Sequence, residues 1–255
     1  MNKSTLIGLL VLFLMIGTVT SPVFATTYTI YDKYWGAKDH GYGDIIGEAK
    51  YFDISKMMVT YESGQLKYVD IYSRYFNDIG VLGSELGDLF ISTDGWNPWG
   101  TEPYKDDKYD NGEDWEYALV LDEHADKTKT KGDFDLYQIT DSDIYLSNHF
   151  KKPNWAYYRE EQEVRVNTSS LTPLATDGEW TLNFQGSGDL DDYIRFDLSK
   201  LSSFSFTGFP GAFHYGPTCA NDVIEGVIPE PSTLFLLGTG LIGFGVFARF
   251  RRRKK

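Results

Sequence analysis

Cysteine is almost missing from this 255-residue chain. Cys219 stands alone, so no intramolecular disulfide can form and no thiolate cluster can hold a metal. Histidine is scarce as well, with four in the chain. His214 and Cys219, five apart with Asn221 and Asp222 close behind, come nearest to a nucleophile–base or ligand pair. A nucleophile needs an oxyanion site, and two ligands alone do not hold zinc. We therefore read Phe213-His214-Tyr215 as a core strand and Cys219 as a small buried filler. Gly-x-Ser-x-Gly, His-Glu-x-x-His and Gly-x-x-x-x-Gly-Lys-Ser/Thr do not occur. These gaps point away from an enzyme.

Positive charge is the next shortage. The chain as a whole carries −13, but Lys3 and six cations of the last seven residues supply much of its basic side. Residues 26–228 keep 17 of the 24 Lys+Arg against 36 of the 37 Asp+Glu, a net −19. Such a body repels nucleic acid and anionic polysaccharide as electrostatic partners. It leaves room for divalent cations, cationic sugars, or a merely soluble, self-repelling surface.

Long apolar runs occur only at the two ends. At the start, Lys3 precedes an apolar stretch at 6–19, and Val23-Phe24-Ala25 follows Pro22 as a small-residue cleavage pattern. Residues 1–25 thus read as a signal peptide cut after Ala25; an uncleaved N-terminal anchor is the alternative. At the other end Pro229-Glu230-Pro231 leads into an uncharged run at 232–248, then Arg249, Arg251, Arg252, Arg253, Lys254 and Lys255. Residues 233–248 as a transmembrane helix would span about 24 Å at ~1.5 Å per residue. A hydrocarbon core is ~30 Å thick, and snorkelling arginines make up the difference. The cations keep the tail cytoplasmic and place everything before Pro229 outside.

Those three parts, in that order, closely resemble the PEP-CTERM sorting signal. The resemblance covers about one tenth of the chain, residues 229–255. It implies recognition by an exosortase, cutting near Pro229, Glu230 and Pro231, and delivery to the cell surface or the extracellular polysaccharide. Without the resemblance, the same residues describe a single-pass anchor that is never processed.

Residues 26–228 form an acidic ectodomain of 203 residues, enough for one large core. Aromatic and β-branched residues are dense, and Gly, Asn, Asp and Ser clusters punctuate short apolar runs. Strands are expected at 26–31, 56–61, 66–75, 87–93, 115–121, 132–140, 163–167, 179–185, 193–198, 203–209 and 211–215. Glu62-Ser63-Gly64-Gln65 reads as a hairpin turn. The fold class is all-β, a two-sheet sandwich of jelly-roll type. Several pieces resemble a recurring kind of PEP-CTERM surface protein: 87–93 with Gly95-Trp96, Gly112 with Trp115-Glu116-Tyr117, and Phe213-His214-Tyr215 with 219–226. In that kind the last piece runs His-Trp-Thr and then Cys-Gly-Asn-Asp, from which Tyr215 and Ala220 depart. The resemblance implies a β-sandwich surface domain and transfers no catalytic residue.

Two loops are candidate binding sites. Trp96 and Trp99, in Gly95-Trp96-Asn97-Pro98-Trp99-Gly100, either present flat rings to a carbohydrate or fold back to cap the core. The acidic loop at 105–116 offers Asp106, Asp107, Asp110 and Asp114 as calcium ligands, although it lacks the EF-hand order. The ordinary reading of such acidic turns is a solvated face. Paired carboxylates for glycoside hydrolysis are the remoter alternative; neither Glu113-Asp114-Trp115-Glu116 nor Glu160-Glu161-Gln162-Glu163 has the alternation of laminarinase-type sandwiches. The sequence thus describes an exported, membrane-anchored surface protein with a structural or adhesive role, and a carbohydrate-binding module, with or without calcium, as the second reading.

Overall fold

A computed structural model describes residues 25–36, 43–153, 155–185, 190–202, 204, 206 and 211–228. The signal segment before Ala25, the Pro229-Glu230-Pro231 element, the helix expected at 233–248 and the basic tail lie outside the described residues. Among the described residues no helix is long and apolar enough to cross a membrane.

The strands, in chain order, are β1 (Ala25–Tyr31), β2 (Ile54–Glu62), β3 (Gln65–Ser73), β4 (Leu89–Ser92), β5 (Tyr117–Leu121) and β6 (Lys131–Gln138). There follow β7 (Ile144–Leu146), β8 (Glu163–Val166), β9 (Ala175–Asn183), β10 (Tyr193–Asp197), β11 (Ala212–Tyr215) and β12 (Ile224–Val227). The expected strands all have counterparts except 203–209, most of which falls outside the described residues. Ser63 and Gly64 both take positive φ, 53° and 77°, and make the tight turn that joins β2 to β3.

The sheet arrangement corrects the sandwich expectation. Ten strands form one antiparallel sheet in the order β1-β2-β3-β10-β9-β6-β5-β4-β11-β12, and β7 pairs with β8 in a separate ribbon. A single core collects Ile30, Met57, Val69, Ile194, Trp180, Phe134, Leu119, Leu89, Phe213 and Ile224, one residue from each of the ten strands. Flat sheets cannot do this; the sheet curls around its own apolar face into something close to a barrel. Its ends meet. A Cβ built on Gly226 of β12 would lie 2.6 Å from Ile30 Cγ2 of β1.

Two kinds of local feature produce the curl. Irregular register in the β2–β3 and β6–β9 ladders bends the strands. Gly178 gives its place to the Phe134 ring, 2.3 Å from where a Cβ would stand, so a large aromatic fits on the concave side. A second layer covers part of the sheet among the described residues. β4 and β11 are buried on both faces, and a second cluster around Phe90, Trp115, Tyr137 and Ala212 is closed by Val166 of β8 and Ile144 of β7.

Candidate functional site

Alternation along β11 decides where His214 points. Phe213 and Tyr215 belong to the main core, so the ring between them faces the outer layer. There it packs among Phe90, Trp115 and Tyr34, with ring centroids 5.9, 5.6 and 6.5 Å away. The β11–β12 register sets Glu225 opposite it, and His214 Nδ1 lies 2.8 Å from Glu225 Oε2. Its Nε2 lies 2.8 Å from the carbonyl oxygen of Glu163 on β8.

Proton positions follow from those partners. A carbonyl oxygen only accepts, so Nε2 carries the hydrogen. Burial holds the His214 pKa below its ordinary value, which keeps the ring neutral and leaves Nδ1 an acceptor. Glu225 Oε2 must then be the donor. The carboxyl is protonated, in agreement with a pKa that burial pushes up to about 8. Its other oxygen accepts the Trp96 indole N–H at 2.8 Å. Glu163 and Asp107 nearby are each pushed by burial up to about 7. The Tyr34 hydroxyl, held well above its usual range by burial, donates to Gln162 Oε1 at 3.5 Å. Burial thus raises the pKa of a group of acids between the great sheet and β8.

Beside Glu225 the surface opens into a cleft of about 280 Å³. Its walls are the end of β1, Lys33 and Tyr34 just beyond it, Trp96, Glu102 and Tyr104 from the loop after β4, and residues 225–227 of β12. Trp96 meets Tyr104 edge to face at 5.0 Å. Lys33 Nζ stands 3.6 Å from Glu102 Oε1, with both side chains mostly exposed. The cleft therefore combines aromatic walls, one neutral carboxyl and a self-compensated ion pair.

The two tryptophans read as a pair are separated. Trp96 is half-buried, anchored by Glu225, and lines the cleft; Trp99 is 58% exposed and does not line it. The four aspartates of the acidic loop also part company. Asp106, Asp110 and Asp114 are exposed, while Asp107 is buried and its Oδ1 accepts the Trp99 backbone N–H at 2.7 Å. Among the described residues the carboxylates that gather within 4.8 Å are Asp94, Glu113 and Glu116. Those three brace the loop after β4: Ser92 Oγ lies 3.0 Å from both Asp94 Oδ1 and Glu113 Oε1. Asn97 N–H donates to Glu113, and Thr93 N–H donates to Glu116 at 2.8 Å.

His214 and Cys219 lie in different compartments. Cys219 is in the main core, and burial pushes its thiol up to about 12, far from a reactive thiolate. The residues after it clamp the chain. Asn221 Nδ2 donates to the Ile46 carbonyl at 2.6 Å, and the Asn221 backbone carbonyl accepts the Ile46 N–H at 2.7 Å. Asp222 accepts the Ile54 N–H at 2.6 Å, and buried Arg159 donates to the Ala220 carbonyl at 3.3 Å. Sequence reading missed Glu225, Glu163, Tyr34 and Tyr104. A polar residue between two aromatics, as in Phe213-His214-Tyr215, hints at a second buried layer. No spacing names its partner eleven residues later.

Compared with known protein families, residues 227–253 match the PEP-CTERM protein-sorting motif. No curated protein and no solved structure matches the chain. The motif implies an exported protein that an exosortase recognises and processes at the membrane, with a membrane-anchored C-terminus.

Proposed function

We propose that this sorting motif delivers the acidic β body to the cell surface or the extracellular polysaccharide, where it has a structural or adhesive role. The match at 227–253 carries the reading. In this scheme a signal peptide ending at Ala25 starts export, the helix at 233–248 halts it, and Arg249, Arg251, Arg252 and Arg253 hold the tail inside. The exosortase then acts near Pro229, Glu230 and Pro231. The course of the chain supports the scheme: β12 ends at Val227 and buried Ile228 directly precedes Pro229, so the motif, which begins at 227, follows directly on the last described strand. We read that body as non-catalytic, since the His214–Cys219 pair is split between two compartments.

Intact mass measurement of the mature protein tests the scheme. The wild-type chain should end near Pro229, whereas Glu230→Ala with the anchor intact should leave full-length protein in the membrane fraction. Unchanged processing of that variant rules out the exosortase route.

A further inference from the structure

The cleft beside Glu225 has the size and chemistry of a binding site for one small ring. We propose that it takes a single non-acidic pyranose, the terminal unit of a glycan, against the aromatic wall of Trp96 and Tyr104. This deepens the adhesive part of the reading above and is independent of sorting, because processed and unprocessed chains would bind alike.

Four observations lead to that ligand class. First, about 280 Å³ sits at the lower limit of small-molecule pockets, roughly 300–1,000 Å³, which fits one sugar ring and excludes a peptide or an oligosaccharide lying along a groove. Second, the place is closed to an inserted strand: Gly226 is pressed against Ile30 Cγ2, so the two sheet ends leave no strand-wide gap. Third, the walls offer aromatic surface next to hydrogen-bonding groups. Tyr31 at the end of β1 is 66% exposed, a large ring left in water at the rim. Aromatic faces suit the C–H face of a pyranose, and the polar groups suit its hydroxyls. Fourth, the electrostatics reject an acid. Lys33, the cation of the lining, is already beside Glu102, and Glu225 with its neighbours Glu163 and Asp107 would gain negative charge if they ionised. A uronic acid would therefore meet no free positive partner in the cleft.

The experiment uses the full-length chain in a sugar-free phosphocholine detergent. It is titrated, by saturation-transfer NMR and calorimetry, with the methyl glycosides of glucose, galactose, N-acetylglucosamine and glucuronic acid. A ligand this small should bind with a Kd of about 1 mM. At least one neutral glycoside should saturate, and the glucuronide should bind at least about tenfold more weakly. Trp96→Ala and Tyr31→Ala should each weaken binding at least about fivefold, and Trp99→Ala should leave it unchanged. Tyr31 is exposed enough that its replacement keeps the fold, so that variant reads binding even if Trp96→Ala does not fold. Absence of saturable binding to every neutral glycoside overturns the proposal. So does tightest binding of the glucuronide, or binding that survives Tyr31→Ala and is lost with Trp99→Ala.

Discussion

Glu225 holds its proton because one neighbour accepts it and the other asks for its lone pair. A carboxyl whose folded pKa of about 8 exceeds its ordinary value near 4.5 binds a proton that the unfolded chain has already released. Between those two pH values the folded state therefore holds more protons, and stability falls as pH rises through the window. Glu163 and Asp107, at about 7, act in the same direction and are spent earlier. His214, its pKa lowered by burial, opposes them, but only below its ordinary value near 6.5. The slope per proton is about 1.4 kcal/mol per pH unit. Glutamine at 225 would donate to His214 Nδ1 and accept from Trp96 just as the protonated acid does. Glu225→Gln should thus lie closest to the wild type at pH 4.5 and exceed it by a growing margin up to pH 8.5, a comparison that urea unfolding across that range makes directly. A second residue-scale prediction concerns Gly87, where a Cβ would stand 1.9 Å from the Gly216 carbonyl oxygen. Backbone cannot step aside as a flexible side chain can, so Gly87→Ala should cost about 3 kcal/mol or prevent folding.

At the scale of elements, the seam between β1 and β12 is the feature that separates a curled sheet from an open one. Gly226→Ala should cost about 2 kcal/mol by overpacking Ile30. In an Ile30→Ala background much of that cost should vanish, giving a coupling of about 1 kcal/mol in a double-mutant cycle. Additive effects would mean that the two strands do not touch in solution. Most strands were legible because alternation is strong where one face is wet: Ile54, Met57, Val59 and Tyr61 of β2 are buried, with partly exposed residues between them. β12 was not legible. Ile-Glu-Gly-Val combines a charge with a glycine, and it is a buried strand only because His214 takes the glutamate and Ile30 needs the glycine. The two-sheet expectation failed for a related reason. Strand number and alternation are the same in a sandwich and a curled sheet, and the difference lies in register irregularities and in contacts between the first strand and the last. Trp96 was legible as a candidate from its loop, but its separation from Trp99 depends on Glu225, 129 residues away.

At the scale of the whole molecule, the charge distribution and the fold's terminus make separate demands. Because Ile228 is buried and Pro229 follows at once, the sorting tail joins the body without a linker among the described residues. A spacer of eight Gly and Ser residues placed between Ile228 and Pro229 should shift the melting temperature by less than about 2 °C, since β12 ends at Val227 and all twelve described strands stay intact. Replacing residues 224–228 by the same spacer should instead abolish cooperative unfolding. It would remove the Glu225 partner of His214 and uncover β11, and circular dichroism melts distinguish the two variants.

The antiparallel order of ten strands sets β12 running opposite to β1, and the last strand closes against the first at Ile30. If the body crosses the membrane from its N-terminus onward, nine strands of the ring can assemble while the tenth is still in the channel. In the proposed scheme, closure would then wait for the residues that directly precede the sorting motif's Pro229. In that scheme, completion of the body and its arrest at the membrane would be a single event in time, and the exosortase would meet cargo that has only just shut.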